Sequence, residues 1–200
     1  MDIKRKYLSS VFSYLYKHKK IADNPISIVE PVKYKKCIKV PLKDEEIELL
    51  KINTTNSRDL AIIHFFLDTG VRVSELCGIN LEDVDFKNYT CKVLGKGNKE
   101  RTVAFSGKTA MRLNEYLKQR KDINMNGTYC TYASNTPLFA SRKGYPARLC
   151  KIAIESMVRK LGIISGVTRV HPHLFRAIFA TKLAERDTDI GVIAKLLGHA

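Results

Sequence analysis

The spacing of apolar residues changes near the middle of this chain, and that change limits the folds it can adopt. Before and after residues 90–105, apolar side chains recur every three or four positions, which is the period of an amphipathic helix. Inside that segment the chain reads as two strands, 90–94 and 101–105, joined by a glycine-containing turn at 95–99. The sequence therefore predicts an α+β fold that is mainly α-helical, with one small antiparallel β-sheet.

Helix start and stop signals divide the rest of the chain into predicted elements. Glycine commonly ends a helix in the left-handed conformation, so Gly70 and Gly198 are predicted helix ends. Pro41, followed by the acidic run that begins at Asp44, is typical of a helix start. Residues 137–140 are predicted to add a third strand. The predicted helices cover residues 4–18, 41 onward, 57–69, a short stretch around 74–76, 108–120, 148–161, 172–186 and 189–197.

A proline-containing stretch separates the first helix from the rest of the chain. Residues 23–25 stop that helix, and the segment up to Cys37 reads as a linker. A single amphipathic helix before a linker leaves its apolar stripe without an obvious partner. We therefore expect residues 1–40 to be the terminal helix of an upstream domain plus a linker, and residues 41–200 to form the main domain. The alternative is an N-terminal helix that docks on the main domain.

The net charge of the chain limits the classes of partner that it can bind. Thirty-five lysines and arginines oppose twenty acidic residues, which leaves a formal net charge of +15. Such an excess favours nucleic acid as the partner, with a membrane surface second and simple solubility as the ordinary alternative. No apolar run is long enough to span a membrane, and no signal core follows the charged N-terminus. The five cysteines are scattered without a CxxC pair, so we expect reduced thiols in a cytoplasmic protein and no metal site.

Five separated residues carry the functional signal. All are cations or imidazoles, which suit gripping a phosphodiester and moving protons around it. Each alone has an ordinary explanation, such as a solvated surface charge, a basic turn or a helix cap. They are Arg72 in Asp-Thr-Gly-Val-Arg-Val-Ser-Glu-Leu, Lys96 in Gly-Lys-Gly-Asn-Lys-Glu-Arg, His173 and Arg176 in His-Pro-His-Leu-Phe-Arg, and His199 in Leu-Leu-Gly-His.

Local spacing predicts how some of these side chains are held. Glu75 lies three residues after Arg72, so we expect its carboxylate to contact and orient that guanidinium. His173 and Arg176 are also three apart on one predicted helix, which places them on the same face. The N-terminal turn of that helix itself favours phosphate through its free N–H groups and dipole.

The hairpin turn supplies further cations. Glycines on either side of Lys96 are what a tight turn requires, so an ordinary basic turn explains this lysine equally well. A lysine on a hairpin tip can nonetheless reach into a DNA groove and donate a proton to a leaving oxygen. Its neighbours Lys99 and Arg101 are predicted to contact the DNA backbone.

The ordered set of strings resembles the catalytic domain of the tyrosine recombinases, the family of phage integrases and Xer-type recombinases. In that family an arginine lies in Thr-Gly-x-Arg-x-Ser-Glu-Leu, a lysine in a hairpin Gly-Lys-Gly, and His-x-x-Arg opens a late helix. Leu-Leu-Gly-His follows, and then a tyrosine. The resemblance covers about residues 41–200, and residues 1–40 are expected to be the terminal helix of an upstream core-binding domain plus a linker. Ala177 departs from the pattern, since many relatives carry a histidine there.

The resemblance implies strand exchange on double-stranded DNA without a metal or any other cofactor. A tyrosine attacks a phosphodiester, forms a 3′-phosphotyrosyl bond and frees a 5′-hydroxyl. That hydroxyl then attacks the phosphotyrosyl bond of a partner strand, which forms a new phosphodiester and releases the tyrosine. Arg72 and Arg176 would clamp the non-bridging oxygens. Lys96 would protonate the leaving oxygen, His173 would be the general base toward the tyrosine, and His199 would hydrogen-bond the phosphate. The family also implies a bacterial or phage-encoded protein that works as a tetramer on DNA.

The family keeps its tyrosine a few residues beyond the position of His199, whereas this chain ends at Ala200. We therefore expect a shortened form of an enzyme, trimmed at both ends, which is monomeric and binds DNA but neither cleaves nor joins it. Two alternatives stay open. One is a DNA-binding module that naturally lacks the nucleophile and occupies or organises a site. The other is a type IB topoisomerase-like domain, although topoisomerases usually carry lysine where this chain has His173.

Overall fold

The structure, a computed structural model, describes residues 2–30, 41–95, 97–120, 122, 124–126, 129–131, 134–141 and 147–198. The chain divides into two units, Met1–Val40 and Pro41–Ala200. The described helices are α1 (Asp2–Lys17), α2 (Asp44–Ile52), α3 (Ser57–Thr69), α4 (Val73–Gly78), α5 (Gly107–Leu117), α6 (Lys151–Ile164), α7 (Pro172–Ala184) and α8 (Ile190–Leu197). The described strands are β1 (Val84–Asp85), β2 (Thr90–Leu94), β3 (Glu100–Ala104), β4 (Asn124–Asn126) and β5 (Tyr129–Thr131).

The first unit consists of α1 and a short 3₁₀ helix at Pro25–Ile28. Asn24 caps that turn by accepting a hydrogen bond from the backbone N–H of Ile26 at 3.1 Å. Arg5 donates through Nη2 to the carbonyl of Val29 at 2.7 Å, which ties α1 to the end of the turn. The helix predicted over residues 4–18 is confirmed. Its large apolar side chains are exposed at Tyr7, Leu8, Val11, Tyr14 and Tyr16.

The second unit begins with a helix that starts later than predicted. The Glu46 side chain accepts a hydrogen bond from the backbone N–H of Lys43 at 2.8 Å, which makes Lys43 the N-cap and Asp44 the first helical residue. Pro41 therefore precedes the helix instead of occupying its first turn. The next helix matches the predicted bounds, because the Asn56 side chain accepts from the N–H of Asp59 at its start.

Helix α3 lies at the centre of the core of the second unit. Ile62, Ile63, Phe65 and Phe66 on this helix have no solvent exposure, so side chains on more than one of its faces are covered. The helix packs against α5, α7 and β3. The ring of Phe66 stacks on that of Phe175 in α7 with centroids 5.7 Å apart. This packing fixes α7 against the C-terminal half of α3, where the candidate site lies.

A three-stranded antiparallel sheet in the order β1-β2-β3 covers one side of the core. Alternation sends Cys91, Val93 and Val103 inward and leaves Lys92 and Thr102 exposed. The predicted β2–β3 hairpin is confirmed, with Leu94 paired to Glu100 next to the turn. No helix in the described part of the chain is both long and apolar enough to cross a membrane.

The third strand of this sheet is β1, and the prediction of a strand at residues 137–140 is wrong. Pro137 and Ala140 form isolated bridges with Asn80 and Arg148 and belong to no strand. Proline has no N–H to donate to a ladder. The carbonyl of Leu138 accepts instead from the Arg120 guanidinium at 3.0 Å, so its hydrogen bond goes to a side chain.

Candidate active site

The site is built around the turn between α3 and α4. Gly70 ends α3 in the left-handed conformation with φ of 58°. A Cβ atom at this position would lie 2.5 Å from Cδ1 of Phe179, so the backbone approaches α7 more closely than any residue with a side chain allows. Arg72 follows as the N-cap of α4. Its side chain therefore leaves the backbone where α3, α4 and α7 meet.

Glu75 holds Arg72 from the first turn of α4. One carboxylate oxygen accepts from the backbone N–H of Arg72, and the other accepts from Nη1 of its guanidinium, both at 2.7 Å. The contact predicted from their spacing is thus present. Glu75 itself is buried, with 4% of its surface exposed. A buried carboxylate of this kind requires compensation by donors on every side.

Arg101 on β3 supplies the rest of that compensation. Its Nη1 and Nη2 donate to the two oxygens of Glu75, each at 2.8 Å, in a bidentate pair. Its Nε donates to the carbonyl of Leu196 in α8 at 3.1 Å. The sequence predicted that Arg101 contacts the DNA backbone, whereas the structure directs its guanidinium onto protein acceptors. The inward orientation of Arg101 could have been predicted from the sequence. Side chains alternate between the two faces of β3, so Arg101 lies on the same inward face as Val103.

Arg176 reaches the same place from α7 and is 9% exposed. It donates through Nη1 to the carbonyl of Gly70 at 2.9 Å and through Nη2 to the carbonyl of Leu197. Burial lowers the pKa of Arg176 to about 10, and the positive charge of Arg72 acts in the same direction. Two of its five N–H donors serve these carbonyls. Within the described residues the other three find no protein acceptor, so a ligand can take them.

Arg72, Arg101 and Arg176 together with Glu75 form what we call the arginine cluster. Burial alone would raise the pKa of Glu75, but hydrogen bonds from Arg101 and Arg72 outweigh it and lower that pKa to about 2. The carboxylate is therefore ionised, and three guanidiniums minus one carboxylate leave a local charge of +2. About 30% of the Arg72 side chain is exposed. The arginine cluster can thus receive an anion with two oxygens, such as a phosphodiester.

His173 lies beside the arginine cluster in sequence but differs from Arg176 in exposure. It is the second residue of α7 and is exposed, and its ring centroid is 6.4 Å from that of His171, the N-cap of the helix. Leu174, Phe175 and Ile178 form the buried face. The predicted face is therefore split, because the arginine turns inward while the histidine stays in solvent.

Of the three remaining predicted site residues, Lys99 is among the residues that the structure describes, and the other two are not. Lys99 is exposed on the hairpin, where its carbonyl accepts from the N–H of Gly95 at 2.8 Å. Lys96 and His199 are outside the described residues. Gly198, which ends α8 with φ of 67°, is the last residue described and lies against Arg101. Among the residues described, no group of three or more His, Cys, Asp or Glu side chains is gathered to hold a metal ion.

Comparison with known proteins points to one family. The model of the phage integrase family matches residues 42–200. Tyrosine recombinase XerC of Thermodesulfovibrio yellowstonii is 38% identical over 199 residues, which cover 96% of this chain and 65% of that protein. Tyrosine recombinase XerD of Yersinia pestis is 29% identical over 198 residues, which cover 95% of this chain and 64% of that protein. The chain thus spans a little less than two thirds of the length of these relatives.

Solved structures share the fold. The crystal structure of XerA recombinase is 31% identical, with a TM-score of 0.71 over 96% of this chain and 65% of that one. The XerH site-specific recombinase, solved on a palindromic difH substrate as a post-cleavage complex, has a TM-score of 0.75 over 98% of this chain and 59% of that one. Its sequence identity is 23%, so this second likeness concerns the fold alone.

Proposed function

Because this chain belongs to the phage integrase family, we propose that residues 41–200 are the catalytic domain of a site-specific DNA recombinase. The protein would cut and rejoin DNA strands through a 3′-phosphotyrosyl intermediate. The observation that carries the proposal is the arginine cluster, in which buried Glu75 holds Arg72 beside Arg176. Two guanidiniums with unused donors at one place match the two non-bridging oxygens of a phosphodiester.

We call Arg72 and Arg176 together the phosphate clamp, and their hydrogen bonds support this role. Arg72 uses one guanidinium donor on Glu75, and Arg176 uses two on backbone carbonyls, so both keep N–H groups for a ligand. Neither side chain has to be ordered when the ligand arrives, because protein acceptors already hold it. Negative charge grows on the phosphate oxygens in the transition state, and preorganised donors stabilise that charge more than they stabilise the ground state. A buried guanidinium such as Arg176 contributes strongly because water screens it less.

The proton transfers are assigned from the family resemblance. Lys96 would protonate the leaving 5′-oxygen, and His173 would accept the proton of the tyrosine that the family places after His199. His199 would donate a hydrogen bond to the phosphate. The exposed position of His173, one helical turn before Arg176, supports its role. No metal or other cofactor is needed, since the phosphotyrosyl bond conserves the energy of the phosphodiester that it replaces.

Double-stranded DNA is the proposed partner. The formal charge of +15 supports it. XerH was solved on its difH substrate, and the Tn1549 transposon integrase in complex with a circular intermediate DNA. Strand exchange between two duplexes further suggests a tetramer on DNA, with one protomer for each strand that is cut.

Residues 1–40 are proposed to end an upstream core-binding domain. The observation that supports this is the row of exposed apolar side chains on α1, which includes Tyr7 at 71% and Tyr14 at 62% exposure. An amphipathic helix is stabilised by burying such a row against a partner. The remainder of an upstream domain would supply one.

The phosphate clamp is tested by covalent trapping. A version of the protein that extends through the family's tyrosine is incubated with duplexes made from the DNA that flanks its gene. Covalent adducts are then counted on a denaturing gel. We expect Arg72→Ala and Arg176→Ala each to lower the rate of adduct formation by about 100-fold or more, because each removes donors aimed at the transition state.

The matched control is Arg112→Ala. Arg112 donates to Glu115, three residues on, at 2.8 Å, which reproduces the Arg72–Glu75 spacing on a different helix, α5. Its adduct yield should equal that of the wild type. Full yield from Arg176→Ala would refute the phosphate clamp, and absence of any adduct from the extended wild type would refute the recombinase itself.

A further inference from the structure

We propose that Arg101 is a positioning residue of this site, one guanidinium that sets the hairpin and the end of α8 relative to the phosphate clamp. The proposal rests on the proposed function for its effect on catalysis. In the structure, the side chain of Arg101 joins three elements, which are β3, α4 and α8. Through them Arg101 would position Arg72 and, by way of the hairpin and the end of α8, the parts of the chain that carry Lys96 and His199.

The first connection joins the hairpin to α4. Arg101 approaches Glu75 with both Nη atoms at 2.8 Å, and a planar fork on a carboxylate fixes the rotation of both groups. Glu75 then accepts four hydrogen bonds, two from Arg101 and two from Arg72. A carboxylate offers about four acceptor sites, so its capacity is full. The orientation of Arg72 and the position of β3 are therefore set by the same carboxylate.

The second connection joins the hairpin to the end of α8. The last carbonyls of a helix have no partner within the helix, and they carry its negative dipole end. Arg101 Nε donates to the carbonyl of Leu196, and Arg176 donates to the next carbonyl, that of Leu197. Two arginines from different elements thus hold consecutive carbonyls. These two side chains therefore hold the C-terminal end of α8.

The close approach of Gly198 strengthens this connection. A Cβ atom there would lie 3.2 Å from Nη1 of Arg101 and 3.4 Å from its Cζ. The backbone therefore passes close to the Arg101 guanidinium, in a left-handed conformation that favours glycine. The Leu-Leu-Gly-His string of the sequence acquires a physical reason from this contact, since the glycine both ends the helix and makes room for Arg101.

The same contacts argue against a role as a phosphate ligand. Arg101 gives three of its five N–H groups to protein acceptors, one more than Arg176, and two of those three go to the buried carboxylate of Glu75. Turning the guanidinium toward DNA would leave the buried Glu75 with Arg72 as its compensating cation. Removing one partner from a buried ion pair is strongly unfavourable, so the pairing should persist when DNA binds.

Arg120 provides a matched control. It is 8% exposed, and it also forms a fork on a carboxylate, that of Asp122, and donates to a backbone carbonyl, that of Leu138 at 3.0 Å. Arg120 thus repeats the hydrogen bonding of Arg101 without touching any residue of the arginine cluster. If Arg101 acted merely through general stability, Arg120→Ala would reproduce its effects.

The first measurement uses the 200-residue chain and needs no catalysis. Amide hydrogen exchange is compared for the wild type, Arg101→Ala, Arg101→Lys and Arg120→Ala, with thermal unfolding recorded for each. Arg101→Ala should speed exchange in the peptides covering the hairpin and in those covering α8 together, by about tenfold or more. In Arg120→Ala, exchange in the hairpin and α8 peptides should rise no more than the loss of global stability of that variant accounts for. Unchanged exchange in either segment of Arg101→Ala would overturn the proposal.

The second measurement separates positioning from DNA contact. In the extended protein at saturating DNA, Arg101→Ala should form adduct about 100-fold more slowly, because small misplacements of catalytic groups have effects of this size. The dissociation constant should change less than about threefold, and the salt slope of binding should stay the same. Arg101→Lys should recover part of the rate, because an ammonium keeps the charge but not the fork.

Two results of the second measurement would contradict positioning. A salt slope shallower by about 1 with the saturated rate unchanged would show that Arg101 binds a phosphate. An equal rate loss in Arg120→Ala would show an effect of stability alone. If the extended wild type forms no adduct, the proposed function fails while hydrogen exchange still decides the role of Arg101.

Discussion

A buried carboxylate stays ionised only where donors replace the water that it has lost, and Glu75 meets that condition through two arginines. Burial raises the pKa of this group, whereas the hydrogen bonds from Arg101 and Arg72 lower it to about 2. Ionised Glu75 in turn holds both guanidiniums in place. The charge of the arginine cluster is therefore constant across the physiological pH range, and its geometry does not depend on a proton.

At the residue scale we predict an acid-dependent contribution of Glu75 to stability. Its folded pKa of about 2 is below the ordinary value of 4.5. The contribution is therefore full above pH 4.5 and is lost as the pH falls from 4.5 toward 2. The gap between the two values corresponds to about 3 kcal/mol. The wild type should have a higher free energy of unfolding than Glu75→Gln at pH 6. This difference between the two proteins should be smaller by about 2 kcal/mol at pH 3.

Urea denaturation followed by far-ultraviolet circular dichroism measures both free energies, since the chain has no tryptophan to report on unfolding. Glu115→Gln is the control, because Glu115 pairs with an arginine at the same spacing but is 47% exposed. Its difference from the wild type should stay near zero at both pH values. An excess for Glu75 that is the same at pH 6 and pH 3 would contradict the assignment of its pKa.

Two helices meet at Gly70, and their junction places Arg72 and Arg176, the two arginines of the proposed phosphate clamp. From α7, Arg176 donates to the carbonyl of Gly70, and Phe179, one turn later, lies over its Cα atom. These two contacts hold the end of α3 against the N-terminal half of α7. The chain then turns directly into Arg72. The distance between the two clamp residues is thus set by how closely the backbone of Gly70 can approach α7.

At the element scale we predict that Gly70→Ala destabilises the protein by about 2–4 kcal/mol. A left-handed conformation with a side chain costs about 1–2 kcal/mol. The added methyl group would also lie 2.5 Å from Cδ1 of Phe179, so the ring must move within a packed core. Thermal unfolding measures the loss. Gly107→Ala is the control, because a Cβ atom at the first residue of α5 meets nothing within 4 Å.

Gly107→Ala should change the free energy of unfolding by less than about 1 kcal/mol, with stabilisation the expected direction because alanine restricts the unfolded chain. Equal losses in the two variants would mean that the close contact between α3 and α7 does not limit the turn. Gly70→Ala should also slow adduct formation in the extended protein, since Arg72 and Arg176 both move with this junction.

The two units of the molecule differ strongly in net positive charge per residue. Residues 1–40 carry ten lysines and arginines against three acidic residues, a net charge of +7, and residues 41–200 carry 25 against 17, a net charge of +8. The smaller unit thus has nearly half of the total in a fifth of the length. We therefore expect both units to contribute to the binding of a polyanion.

At the scale of the whole molecule we predict salt-dependent binding to duplex DNA. Neutralising phosphates with lysine and arginine releases counterions, so affinity should fall by about 10³-fold or more between 50 and 200 mM salt. Fluorescence anisotropy with a labelled duplex measures it. The matched comparison is residues 41–200 alone, whose hydrophobic core lies entirely within that range. That form should bind more weakly and with a shallower salt slope, because fewer phosphates are neutralised.

Affinity that does not respond to salt would refute binding through phosphates. Equal slopes for the two forms would show that residues 1–40 contribute no phosphate contacts despite their charge. Because Arg101 is engaged with Glu75, its substitution should leave the slope of the whole chain unchanged, which links this measurement to the positioning role proposed above.

The sequence by itself determined those features that depend on neighbours along the chain. Helical periodicity and glycine stops predict α3 and α8 closely, because an amphipathic stripe and a left-handed end are local properties. The Arg72–Glu75 contact was predictable for the same reason, since residues three apart on a helix turn face each other. The ordered strings that identify the family are likewise a property of sequence alone.

Only the tertiary structure decided which partners distant residues take. Arg101 meets Glu75 across 26 positions, and Arg176 meets Gly70 across 106, so no local spacing could select them. The strand predicted at 137–140 was wrong for a related reason, because the carbonyls of Pro137 and Leu138 accept hydrogen bonds from the side chain of Arg120. Local geometry specifies a side chain's direction within about one turn. Beyond that, packing of whole elements around α3 determines which acceptors a buried guanidinium can reach.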